Sequence, residues 1–218
     1  MASSHKSRVP SPAPATGIFD KGLLRGSLGL AVLSFLGLGL LYPLAGVGLG
    51  QVLFPTTANG SLIERDGKVL GSSLVAQPFS ADRYFTSRPS AADHQPMATA
   101  GSNQARTNPE MRQRVEMAVA AVASREGVDP ARVPSDLVTQ SGAGFDPHVS
   151  PQAAEIQVQR VARARNLSAE EVTKLVARHT EGPQLGVLGQ PRVNVLELNL
   201  ALDSMVAATP AQAPADAQ

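Results

Sequence analysis

The strongest pattern in the 218 residues is a run without charge from Gly26 to Phe54, 29 residues long, preceded by Lys21 and Arg25. Crossing a bilayer takes about 20 mostly apolar residues, so 26–54 is expected to be a single transmembrane helix with some tilt. A cleaved signal peptide is the competing reading, because a basic segment followed by Leu28–Leu41 also suits export. Signal h-regions, however, stop after roughly 7 to 15 residues at a small-residue site. Here apolar character continues through Leu44, Val47, Leu49, Val52 and Leu53, which favours an uncleaved anchor; a mature start near Gly46 would reverse that.

Beyond Pro55 the periodicity changes. Ser61–Leu70 reads as two strands around Asp66-Gly67, a two-residue hairpin signal, with the second strand reaching Val75. Residues 77–107 keep no period and form a long loop, a kind of segment that is often functional. Asn108-Pro109-Glu110 has the cap, proline and acid of a helix start. That helix carries Met111, Val115, Ala118, Val119 and Val122 on one stripe and ends near Gly127. Asp136–Thr139 is expected as a short strand. Ser150-Pro151 opens a second helix with Ala154, Val158, Val161 and Ala162 inward. Ser168 and Glu171 make a capping box for a third, with Val172, Leu175 and Val176 inward. Asn194 starts a fourth. The fold class is α+β: one N-terminal transmembrane helix, then a mostly helical extracytoplasmic domain with a β-hairpin and short strands. Its divisions are a disordered basic tail (1–25), the span (26–54), the domain (55–206) and a disordered tail (207–218).

Composition limits the core and the partners. Aromatic residues are 4% and Trp is absent, so the core must be mostly Val, Leu, Ile and Ala. Net charge is +1; residues 1–25 hold four basic groups against Asp20, leaving about −2 for the rest. That balance excludes a nucleic-acid groove, which needs a clustered basic face. Lys21 and Arg25 before the span, against the mixed Glu64–Lys68 after it, predict a cytoplasmic N-terminus and an exterior domain. With no cysteine, disulfides and thiolate metal sites are impossible.

Candidate chemistry is sparse. Ser141 and His148 share a Gly-rich loop, but no nucleophile-elbow pattern surrounds the serine. Histidines 5, 94, 148 and 179 show no metal-ligand spacing, and His179 suits a helix C-cap. The loop holding Ser141, Gly142 and Gly144 leads into the helix at Pro151. It reads either as a structural turn or as an anion cradle, with Gln152 as a donor. In the span, Gly46 and Gly50 have small-xxx-small spacing. They read as a packing face for another membrane protein, or as the ordinary Gly content of membrane helices.

An ordered set of short motifs is more specific than any of these. Phe54-Pro55, Ala58–Ser61, Tyr84-Phe85, Arg88–Ala91, Gly101–Asn103, Thr107–Glu110, Asp146-Pro147, Ser150–Ala154, Arg160–Ala162, Ala164–Leu167 and Gly189–Asp203 together resemble the KdpC family. These are the C subunits of bacterial Kdp potassium-importing P-type ATPases. The resemblance covers roughly residues 27–205. It implies a non-catalytic, single-pass accessory subunit of the bacterial inner (plasma) membrane. Its partners would be a channel-like potassium-translocating subunit, an ATP-hydrolysing P-type subunit and the lipid bilayer, with no nucleic acid. The resemblance further implies a stabilising role and a catalytic-chaperone role that raises the ATPase subunit's affinity for ATP. Gln152 aligns with that nucleotide role, alongside Ser141, Gly142 and Gly144; no tightly bound cofactor and no metal are implied. The chain departs from the family pattern at Gln140, where a small residue is usual, and at Phe145, where Leu is usual. An exterior domain also could not meet cytoplasmic ATP. The alternative is an independent membrane-anchored exterior binding protein or enzyme.

Overall fold

The computed structural model describes residues 21–208, so residues 1–20 of the tail expected at 1–25, and residues 209–218 of the tail expected at 207–218, lie outside it. The chain divides into two units, 1–59 and 60–218.

In the first unit, α1 (Lys21–Ser34), a π-helical stretch (Phe35–Leu41) and α2 (Tyr42–Leu53) form one continuous rod. The helix over 22–53 contains an 18-residue window of mean hydropathy 2.0 and is long and apolar enough to cross a bilayer. Its helix starts five residues before Gly26, taking Lys21 and Arg25 into the first turns. The π-helical stretch has a local cause. Pro43 has no N–H, and in a regular helix its ring would strike the carbonyl four residues back, at Gly39. The wider turn, in which the Tyr42 N–H reaches back to the Gly37 carbonyl, relieves that clash. A short α3 (Pro55–Ala58) follows, and the side-chain amides of Gln51 and Asn59 bond each other across it.

The second unit starts with the hairpin β1 (Leu62–Arg65) and β2 (Lys68–Ser72). Asp66 and Gly67 both take positive φ (53° and 73°), the geometry a two-residue hairpin turn demands. The second strand stops at Ser72 rather than Val75. The Ser72 hydroxyl donates to the Gly60 carbonyl and accepts from the Leu74 N–H, turning the chain out of the ladder. Residues 77–107 are loop apart from one tight turn at Pro96–Ala98.

Helix α4 (Pro109–Glu126) is capped by Asn108 and ends at Gly127 in the left-handed region. Its stripe of Met111, Val115, Ala118, Val119 and Val122 is only half-buried. The helix is held to the long loop by polar contacts, Arg114 to Gln104 and Arg125 to the Ser80 carbonyl, and only its last turn is deeply packed. Residues 136–139 are not a strand. Pro134 and Ser135 set a tight turn, Ser135–Leu137, in which both the N–H and the hydroxyl of Thr139 bond the Ser135 carbonyl.

A three-stranded antiparallel sheet of order β3 (His148–Val149), β5 (Arg192–Asn194), β4 (Thr180–Glu181) is assembled from distant segments. Four helices pack around it: α5 (Pro151–Glu155), α6 (Val158–Arg165), α7 (Ala169–Arg178) and α8 (Val195–Ala208). The single helix expected from Pro151 is pinched into α5 and α6, because the Gln157 N–H bonds Ala154 three residues back. The inward residues named from sequence on α5, α6 and α7 are all buried. Ser168 and Glu171 form the capping box, and His179 is the C-cap of α7. Among the described residues the core is Val, Leu and Ala, with Phe85 as its one fully buried aromatic ring.

Candidate functional site

The domain carries an open cleft of about 900 Å³. Four of the short motifs quoted above converge on it: Arg88 from the long loop, Asp146, the Ser150–Gln152 corner, and Gln190–Arg192. The turns after α4 contribute Arg132 and Asp136. No single stretch of sequence builds this surface; the β3–β5 pairing does, by placing His148 opposite Asn194.

Arg88, Asp136, Asp146, His148, Ser150 and Arg192 of the wall are each held by a neighbour. Arg88 Nη1 donates to Asp146 Oδ2 at 3.1 Å, and Nη2 reaches the Gln140 carbonyl. The His148 N–H donates to Asp146 Oδ1 at 3.0 Å, and its Nδ1 lies 3.5 Å from the same oxygen. Asp136 accepts the Ser150 N–H at 2.6 Å, while the Ser150 hydroxyl caps α5 by accepting from Ala153. Arg192 Nε and Nη2 both reach Oε2 of Glu181, at 2.9 and 2.8 Å.

Burial pushes the Asp146 carboxyl upward, but the His148 side chain and N–H, with the Arg88 guanidinium, outweigh it and hold the group below its ordinary value. A depressed carboxyl stabilises the fold fully above its unfolded pKa, and that stabilisation fades as pH falls through the folded value. The cleft should therefore loosen in acid, below about pH 4. In acid titrations of unfolding, Asp146→Asn should flatten that limb relative to wild type; an unchanged limb would remove Asp146 as its source.

Gln152 lies on the cleft wall. Ser141, Gly142 and Gly144 sit apart from that wall, in a clasp between the 141–146 loop and the 88–101 loop. Ser141 is buried, and its hydroxyl accepts from the Gly144 N–H. The Ser90 hydroxyl donates to the Gly144 carbonyl and accepts from the N–H groups of Ala92 and His94. A Cβ on Gly101 would fall 2.7 Å from the Gly142 carbonyl oxygen, and one on Gly144 2.8 Å from that of Ala100, so the two loops touch backbone to backbone. Phe145 contributes its carbonyl to the Ala76 N–H. Among the described residues no group of three His, Asp or Glu could hold a metal ion.

Arg88, Arg132, Asp146, His148 and Arg192 were missed as site residues from sequence. The signal was present, since most of them stand inside the short Pro-containing words Arg88-Pro89, Asp146-Pro147 and Pro191-Arg192, but nothing local says that those words meet.

Among the described residues, one helix long and apolar enough to cross a bilayer, followed in the chain by a small α+β domain with a polar cleft, defines a class, the chain with a single candidate span and one folded domain. The chain belongs to the KdpC family: the model of that family, described as "K+-transporting ATPase, c chain", matches residues 24–204, span and domain together. The chain is 54% identical over 184 residues to the potassium-transporting ATPase KdpC subunit of Xanthomonas campestris pv. campestris (strain B100), covering 84% of this chain and 88% of the relative. It is 56% identical over 170 residues to the KdpC subunit of Methylococcus capsulatus (strain ATCC 33009 / NCIMB 11132 / Bath), covering 77% and 90%.

Proposed function

We propose that this chain is the accessory, non-catalytic subunit of an ATP-driven potassium-import complex, anchored by 22–53 with its N-terminus in the cytoplasm and its domain outside. It holds the potassium-translocating and ATP-hydrolysing subunits together. The observation that carries the reading is the family match across both the span and the domain, because a free-standing exterior protein would need only a generic anchor. The span's surface fits the same role. A Cβ added at Gly46 would meet nothing within 4 Å, and one at Gly50 would make only ordinary contact with Ala58, which leaves room there for close helix approach.

The nucleotide role attached to Gln152 through the resemblance has an obstacle. Lys21 and Arg25 before the span support a domain on the side away from cytoplasmic ATP. Assembly is therefore the function proposed, and protease digestion of intact cells tests the side: a domain left uncut would reopen ATP binding at Gln152.

Deleting the gene should abolish growth at micromolar potassium, and wild-type chain drawn from detergent extracts should bring two large membrane proteins with it. Gly46→Leu should reduce that co-purification. A deletant that grows normally, with a bare monomer in the extract, would instead support an independent anchored exterior protein.

A further inference from the structure

Midway along the span the ladder of backbone hydrogen bonds runs short of donors. In the π-helical stretch the Tyr42 N–H bonds the Gly37 carbonyl, five residues back, instead of the Leu38 carbonyl four back. Pro43 has no N–H, so the Gly39 carbonyl loses its regular donor too. The regular ladder resumes with Leu41, the N-cap of α2, whose carbonyl takes the N–H of Ala45 four residues on. Between the two ladders stand the carbonyls of Leu38, Gly39 and Leu40 and a single N–H, that of Leu44. Three acceptors less one donor leave two carbonyls that the backbone does not pair.

Leu38 is 16 residues from Gly22 and 15 from Leu53, the ends of the apolar helix, so these carbonyls lie at the middle of the bilayer. Hydrocarbon supplies no donor, and an unsatisfied backbone group there is costly. The span's own polar side chains point or bond elsewhere. The Ser27 hydroxyl donates to the Leu24 carbonyl, and the Gln51 amide to Asn59. Ser34 makes no side-chain capping bond, and its side chain leans toward its own N-terminus, away from 38–40. Close approach is open on one side. A Cβ on Gly37 would meet nothing within 4 Å, whereas the Phe35 ring stands 3.6 Å from where one on Gly39 would be. A neighbouring helix therefore has room beside Gly37.

We propose that the carbonyls of 38–40 form an acceptor site at mid-membrane for a side-chain carboxamide, Asn or Gln, on a transmembrane helix of another subunit of the complex. The proposal rests on the accessory-subunit reading above. The number of donors selects this occupant. Two carbonyls need two hydrogens, and a carboxamide carries both on one nitrogen, whereas a hydroxyl or phenol carries one. Lipid tails carry none. A second copy of this chain brings only the Leu and Gly residues of 36–41 to this depth, with the one phenol proton of Tyr42 beside them. Pro43 and the π-helical turn together turn backbone acceptors that a regular helix would consume into a recognition group.

Pro43→Ala restores the N–H and removes the ring, so the segment can close into a regular helix with every carbonyl paired. In the full chain it should reduce the co-purified partner subunits about tenfold, as loss of two interhelical hydrogen bonds of membrane strength does. Undiminished co-purification of this variant overturns the proposal. The direct readout is the infrared stretch of the Leu38, Gly39 and Leu40 carbonyls, labelled with heavy carbon and oxygen in an otherwise wild-type full chain. Their bands should fall to lower frequency between nanodiscs holding this chain alone and nanodiscs holding the whole complex. Unmoved bands in a complex that still assembles overturn the acceptor site and leave the accessory-subunit reading standing. Wild type that brings no partners overturns that reading instead. Bands already low in the chain alone also overturn the proposal. If Tyr42→Phe then raises them, the donor is a second copy; if not, it is water.

Discussion

Glu126→Ala should cost the domain about 3–5 kcal/mol, the expected loss when one member of a buried ion pair is removed. Glu126 and Arg160 are 7% and 8% exposed, and Arg160 Nε lies 3.0 and 2.9 Å from the two carboxylate oxygens. The other guanidinium nitrogens are also occupied. Nη1 donates to the carbonyls of Asp82 and Tyr84, and Nη2 to Gln157 Oε1 at 2.9 Å. Gln157, itself fully buried, accepts from the N–H and hydroxyl of Thr86. One cation therefore joins the end of α4 to α6 and fixes residues 82–86 of the long loop. Without Glu126 that cation stays buried without its counter-charge. Arg160→Lys should recover little, since an ammonium cannot reproduce the planar fork of donors.

Calorimetric unfolding of the full chain in detergent should show the Glu126→Ala midpoint lowered by roughly 10 °C. Replacing both partners together, Glu126→Leu with Arg160→Met, should cost less than Glu126→Ala alone, because no charge is then stranded. If the double variant loses as much as the two singles combined, the loop carbonyls matter more than the pair, and the electrostatic account is wrong.

The same network shows what sequence can and cannot reveal. Features written within a few residues were legible: the span from its length, the Asp66-Gly67 turn from its residue types, the Asn108 and Ser168 caps from spacing, and the end of α4 from Gly127. Each depends on a local stereochemical requirement. The central sheet was not legible. Its strands are two or three residues long and pair segments around 148, 180 and 193, too short for alternation to register. The apolar residues predicted to face inward on the helix from Pro151 were right, although the helix breaks at Gln157, whose amide is committed to a loop 71 residues away. The cleft fails to show in the sequence for the same reason, since its wall groups come from four separated segments. The family resemblance named most of those segments in order, but only the fold brings them together.

Phe85→Ala should be comparably damaging, about 3–5 kcal/mol, the range for emptying a buried aromatic site. Phe85 is fully buried in the shared core although it sits in a loop without regular structure. A loop backbone at that depth needs partners for its own polar groups. Asn199 of α8 supplies both, accepting the Phe85 N–H at 2.9 Å through Oδ1 and donating to its carbonyl at 2.9 Å through Nδ2. The side-chain amide thus takes the place of a neighbouring strand. Asn199→Leu is close in volume and more apolar, yet it should still destabilise by about 1–3 kcal/mol per group left unpaired. Asn199→Asp should be worse than its near-identical shape suggests, because it keeps the acceptor, loses the donor and buries a charge. If burial of the ring alone fixed this loop, Asn199→Leu would be neutral in the same calorimetric measurement. A clear loss would mean that the loop stays in the core only because α8 completes its backbone hydrogen bonds.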